Sequence, residues 1–123
     1  MDRRSFEEIV ERTFDDLPEN FRRAIDNLGV MVEDYPTDEL VAQLRLPSKY
    51  HLLGLYQGVP LPSRGSGFGS TPVAPDTVSL YQNNIEAMCS DDNELREKIF
   101  EVLIHEIGHY FGMSEEEIRK AGY

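Results

Sequence analysis

From Asp92 to Phe111 the chain contains no proline, and its single glycine is Gly108. Within that run Ile99, Phe100, Leu103, Ile107, Tyr110 and Phe111 recur at helical spacing. A stretch of this kind commits to one long amphipathic helix, whose wide apolar face must be buried against the rest of the chain. Its start is marked by Asp91-Asp92-Asn93-Glu94, acids that favour the positive end of a helix dipole. Its end is marked by Gly112, which can take the left-handed turn that closes a helix.

The remaining segments must supply the cover. Ser5 followed by Glu8 reads as a capping box for a first helix through Phe6, Ile9, Val10, Thr13, Phe14 and Leu17. Pro18 suits the first turn of a second helix, in which Phe21, Ala24, Ile25 and Leu28 keep the helical spacing up to a stop at Gly29. Val30-Met31-Val32 predicts a short strand ending at Glu33-Asp34, and Thr37 predicts the cap of a short helix to about Leu44. Leu52, Leu53, Leu55 and Tyr56 predict a second strand closed by Gly58, and Thr77 to Tyr81 a third. Between them, residues 58–76 carry Pro60, Pro62, Gly65, Gly67, Gly69, Pro72 and Pro75, a loop signal. Ser114 with Glu117 predicts a capping box for a last short helix to about Ala121. Helices, strand, short helix, strands and helix in that order predict an α+β fold with a small sheet, not a βαβ winding.

A length of 123 residues predicts a single domain over 1–123. With 12 Lys and Arg against 23 Asp and Glu, the net charge of −11 argues against nucleic acid and against anionic membrane surfaces, which need a basic face. No apolar run approaches the ~20 residues that cross a bilayer. The start, Met1-Asp2-Arg3-Arg4-Ser5-Phe6, has no apolar core of a secretory signal. Cys89 is the only cysteine, which excludes an internal disulfide and a multi-cysteine zinc site. The expected location is cytoplasmic.

The long helix carries His105-Glu106-Ile107-Gly108-His109, an HExxH pattern. At ~100° per residue the two histidines lie one turn apart and can meet one ion from the same face. Glu106 falls at the flank of that face, placed to reach a water on the ion. Two histidines on a solvated helix face would be ordinary, but the pattern continues as HExxHxxGxxE, with Gly112 and Glu115. Two imidazoles and a carboxylate leave one position of a tetrahedral zinc ion for water. Zinc is therefore the expected cofactor, with His105, His109 and Glu115 as ligands and Glu106 as general base. Glu115, Glu116 and Glu117 are also plain first-turn acids of the last helix, and Glu116 is the next ligand candidate. Tyr110 points toward the apolar stripe and reads as core. Met113 reads as packing, Cys89 as a buried thiol and His51 as a strand-surface residue, while Tyr81 and Tyr123 are weaker site candidates.

His105 to Gly112 with Ser114-Glu115-Glu116 resembles the small bacterial minimal zincin family of metallopeptidases. Phe6-Glu7-Glu8-Ile9-Val10, Val30 to Asp34, Leu53 to Leu61 and Val78 to Tyr81 resemble the same family, so the similarity spans nearly the whole chain. The resemblance implies a compact zincin-like α+β fold with a small mixed sheet. It also implies attack of a zinc-activated water on a peptide bond, with a peptide or unfolded protein as substrate. Zincins take extended peptides by adding them to a sheet edge, here Leu52–Gln57 or Val78–Tyr81. A contrasting expectation is a non-catalytic, zinc-stabilised module that binds a partner protein. Glu106 favours hydrolysis, since a structural ion needs no general base.

Overall fold

The computed structural model describes residues 1–24, 28–58 and 76–123. Helix α1 spans Arg3–Asp15 and α2 spans Glu19–Ala24. Strand β1 (Leu28–Glu33) is followed by α3 (Asp38–Gln43), a 3-10 turn at Lys49–His51 and β2 (Gly54–Gln57). Then come β3 (Asp76–Tyr81), α4 (Gln82–Ala87), α5 (Asp92–Tyr110) and α6 (Glu115–Lys120). The sheet order is β1-β3-β2, with β1 parallel and β2 antiparallel to β3. The architecture is α+β with a small mixed sheet.

The core forms where α5 crosses the sheet. Ile99, Leu103 and Ile107 from one side of α5 are fully buried, together with Phe6 of α1, Val78 and Leu80 of β3 and Ile85 of α4. Burying each of these side chains stabilises the fold by about 1.5–3 kcal/mol, so the helix is anchored independently of the polar residues on its other side.

Several boundaries differ from those read in the sequence. Helix α1 is capped by Asp2, whose carboxylate accepts from Ser5 N at 2.8 Å, so the helix begins before the expected Ser5–Glu8 box. Gly29 does not stop a helix. It lies in β1 opposite Thr77, because pairing with β3 captures Leu28 to Glu33 and overrides the short helical pattern. Ile25 and the loop signal from 59 to 75 lie outside the described residues. Helix α4 was not legible, since it is only six residues long, has no side-chain cap, and Asn83 and Asn84 have little helical tendency. Tertiary bonds hold it instead: Asn84 Nδ2 donates to Lys49 O and Leu52 O, both at 2.8 Å. Among the described residues β3 is the central strand, so the sheet edge offered beside α5 is β2 and not Val78–Tyr81.

Candidate metal centre

Helix α5 ends in a Schellman turn. Met113 N donates to Gly108 O and Gly112 N donates to His109 O, both at 2.9 Å, with Gly112 at φ 77°. A side chain at Gly112 would be strained at that φ, so glycine permits the reversal. The chain then enters α6 through a capping box: Ser114 Oγ accepts from Glu117 N, and Glu117 Oε1 accepts from Ser114 N, both at 3.2 Å. Glu115 becomes the first residue of α6. Ile118, 1% exposed, presses α6 onto α5 at Gly108. A Cβ at Gly108 would stand 2.5 Å from Ile118 Cδ1, so this position of the motif is small because another helix packs on it.

This reversal brings Glu115 over the histidines. Its Oε2 lies 2.7 Å from His105 Nδ1 and its Oε1 lies 3.0 Å from His109 Nε2. The other ring nitrogens are also engaged: His109 Nδ1 with Met113 O at 3.1 Å, and His105 Nε2 with Tyr123 O at 3.2 Å. Burial alone would raise the Glu115 carboxyl. The hydrogen bonds and charges of both histidines outweigh it and hold the group below its ordinary value. Glu116 points elsewhere and pairs with Lys120 at 3.4 Å.

Glu106 takes no part in that bridge. Its Oε1 accepts from the backbone N–H of Tyr56 on β2 at 2.9 Å. Burial raises its pKa above the ordinary value, against the Tyr56 hydrogen bond and the charge of His109. Gly54 makes this approach possible, since a Cβ there would lie 2.6 Å from Val102 Cγ1 and 3.3 Å from Glu106 Cγ. Leu52, Leu53, Gly54, Val102, His105, Glu106 and Glu115 line a small cleft of about 240 Å³ between β2 and α5.

Among the described residues no three His, Cys, Asp or Glu side chains are set around one point as an ion would require, because the carboxylate spans the two imidazoles. The donor chemistry nevertheless fits zinc: two imidazoles, each within 3.0 Å of the same carboxylate, make a set of ligand types zinc accepts.

Most of the weaker candidates lie elsewhere. Tyr110 is fully buried, with its ring edge-on to Tyr56. His51 sits on the 3-10 turn and not on a strand, with Nδ1 2.8 Å from Ser48 Oγ. The half-buried Cys89 donates to Ile85 O at 3.3 Å, and burial pushes its thiol up. Tyr81 is buried, and burial, then Glu33, raises its phenol. Met113 and Tyr123 contribute backbone carbonyls to the histidines, and Tyr56 a backbone N–H to Glu106. Tyr123, one of the weaker candidates, thus reaches His105 through its backbone oxygen and not its phenol, whereas the Met113 and Tyr56 contacts carry no side-chain signature, and so sequence reading missed them.

Comparison with known proteins gives the family. A family model described as zincin-like metallopeptidase matches residues 25–123. The chain belongs to that family. A solved structure, a conserved hypothetical protein from Thermus thermophilus, is 23% identical over 97% of this chain and 96% of its own, with a TM-score of 0.56. That likeness concerns the fold. No curated protein matches. Among the described residues no helix is long and apolar enough to cross a membrane.

Proposed function

We propose that the chain is a zinc-dependent peptidase, acting on extended peptides or unfolded proteins with Glu106 as general base. The observation that carries this reading is the division of labour between two acids. Glu115 lies against both imidazoles, whereas Glu106, one residue from His105, is held apart by the Tyr56 N–H.

His105, His109 and Glu115 would hold the ion. Bound zinc would supply Lewis acidity, polarising a carbonyl and lowering the pKa of a water toward ~7. The chain's own residues provide the proton handling. Burial of Glu106 raises its proton affinity toward the range in which a carboxylate can both take and return a proton. The Tyr56 N–H fixes one carboxylate oxygen and leaves the other for the reacting water. Met113 O accepts the Nδ1 proton of His109, so on metal binding Nε2 would give up the proton it shares with Glu115 and become the ligating nitrogen. The edge strand β2 borders the cleft, so an extended peptide laid along Gly54–Gln57 would pass beside Glu106.

The test is cleavage of a peptide library by zinc-loaded protein and by Glu106→Gln. Parent activity that falls by at least ~100-fold in Glu106→Gln, with zinc retained, supports the reading. Equal rates would overturn it. Zinc binding with no cleavage by either form would instead favour a zinc-stabilised interaction module.

A further inference from the structure

A second concave surface lies between α1 and β1, away from the histidines. It encloses about 500 Å³, with Val10 and Phe14 on the helix side and Leu28, Val30 and Val32 on the strand side. Val10 is buried, and the other four remain half-exposed. β1 is a border strand, so its outer N–H and C=O groups meet no strand among the described residues. One of its carbonyls, Val32 O, is occupied by Arg3 Nη1 at 2.7 Å. The rim is acidic. Glu7, Glu11 and Asp15 are exposed, follow one ridge of α1 at four-residue steps, and pair with no cation among the described residues.

We infer that this groove docks an extended basic segment of a partner protein, added as a further strand to β1 with Lys or Arg at alternate positions. The dimensions match. Four helical residues rise ~6 Å, and alternate residues of a strand lie ~6.6–6.8 Å apart, so the spacing of the basic side chains is close to that of the carboxylates along α1. The aliphatic stems of Lys and Arg cover the apolar floor while their charged ends reach the rim. Main-chain hydrogen bonds to β1 hold the segment, as in other strand additions. A second copy of this chain is disfavoured as occupant, because each copy carries −11 and would set acids against acids. The inference does not depend on the peptidase reading.

The probe is a fluorescein-labelled, amidated heptapeptide alternating Lys and Val, titrated into the full chain with anisotropy as readout. A matched peptide with Glu for Lys is the control. Amide NMR shifts locate the site, and mass spectrometry verifies that the peptide stays intact. The Lys peptide should bind, shift the amides of Leu28–Val32, and weaken at least tenfold in Glu7→Lys/Glu11→Lys, whose exposed positions should not lower the melting temperature. The Glu peptide should not bind. Shifts confined to Gly54–Gln57, equal binding of both peptides, or undiminished affinity in the charge-reversed variant would overturn the inference. So would dilution-dependent shifts of the β1 amides, which would assign the groove to a second copy.

Discussion

Glu106 and Glu115 are the same residue type placed in opposite electrostatic settings. Folding raises the Glu106 carboxyl above its ordinary 4.5, mainly by burial. A group raised on folding binds more protons folded than unfolded, so its ionised form costs stability, with none of the cost below the unfolded pKa and all of it above the folded one. Metal-free Glu106→Gln should therefore gain stability relative to the parent as pH rises from about 4 to 7, measured by chemical denaturation. Folding lowers Glu115, so its contribution is present above 4.5 and is lost as pH falls through the folded pKa. Metal-free Glu115→Gln should lose stability at pH 6, with the deficit shrinking as pH falls below 4.5. In the zinc-binding reading, Glu115→Ala should weaken zinc affinity at least ~10-fold in chelator competition, and Glu115→Asp should recover most of it. Unchanged affinity in Glu115→Ala would remove it from the ligand set.

Helix α5 works because neighbours come close to it at two glycines. At Gly108 the neighbour is Ile118 of α6, and at Gly54 it is α5 itself against β2. Gly108→Ala adds helix propensity worth up to ~1 kcal/mol but places a methyl 2.5 Å from a fully packed isoleucine. The steric term should win, with a net loss of about 1–2 kcal/mol in denaturant unfolding and a tenfold or greater loss of zinc affinity, because Glu115 rides on α6. Gly54→Ala should cost about 1–3 kcal/mol and disturb Glu106 through the Tyr56 N–H, leaving zinc affinity nearly intact. These opposite metal phenotypes separate the two helix faces.

For the whole molecule, the wide buried stripe of α5 stabilises the fold from one side, and any ion would act from the other. Zinc at 100 times its dissociation constant should raise stability by about 2.7 kcal/mol, seen as a higher melting temperature that a chelator reverses. The same increment should vanish in His105→Ala/His109→Ala. Net charge of −11 adds self-repulsion, so moderate salt should also stabilise the metal-free chain.

The long helix, the Thr37 and Ser114 caps and the Gly112 turn were legible in the sequence, because each depends on interactions within a few residues along the chain. The HExxHxxGxxE spacing was legible for the same reason: helical geometry alone aligns His105 with His109, and a capped turn returns Glu115. The Asp2 cap competed with an equally local alternative at Ser5 and could not be chosen from pattern. Whether Leu28 and Gly29 extend a helix or pair with β3, and whether Gln82–Ala87 coils at all, depends on partners far along the chain. So does the placement of Glu106, since the N–H that holds it belongs to Tyr56, and a main-chain donor is present at every residue except proline until folding selects one.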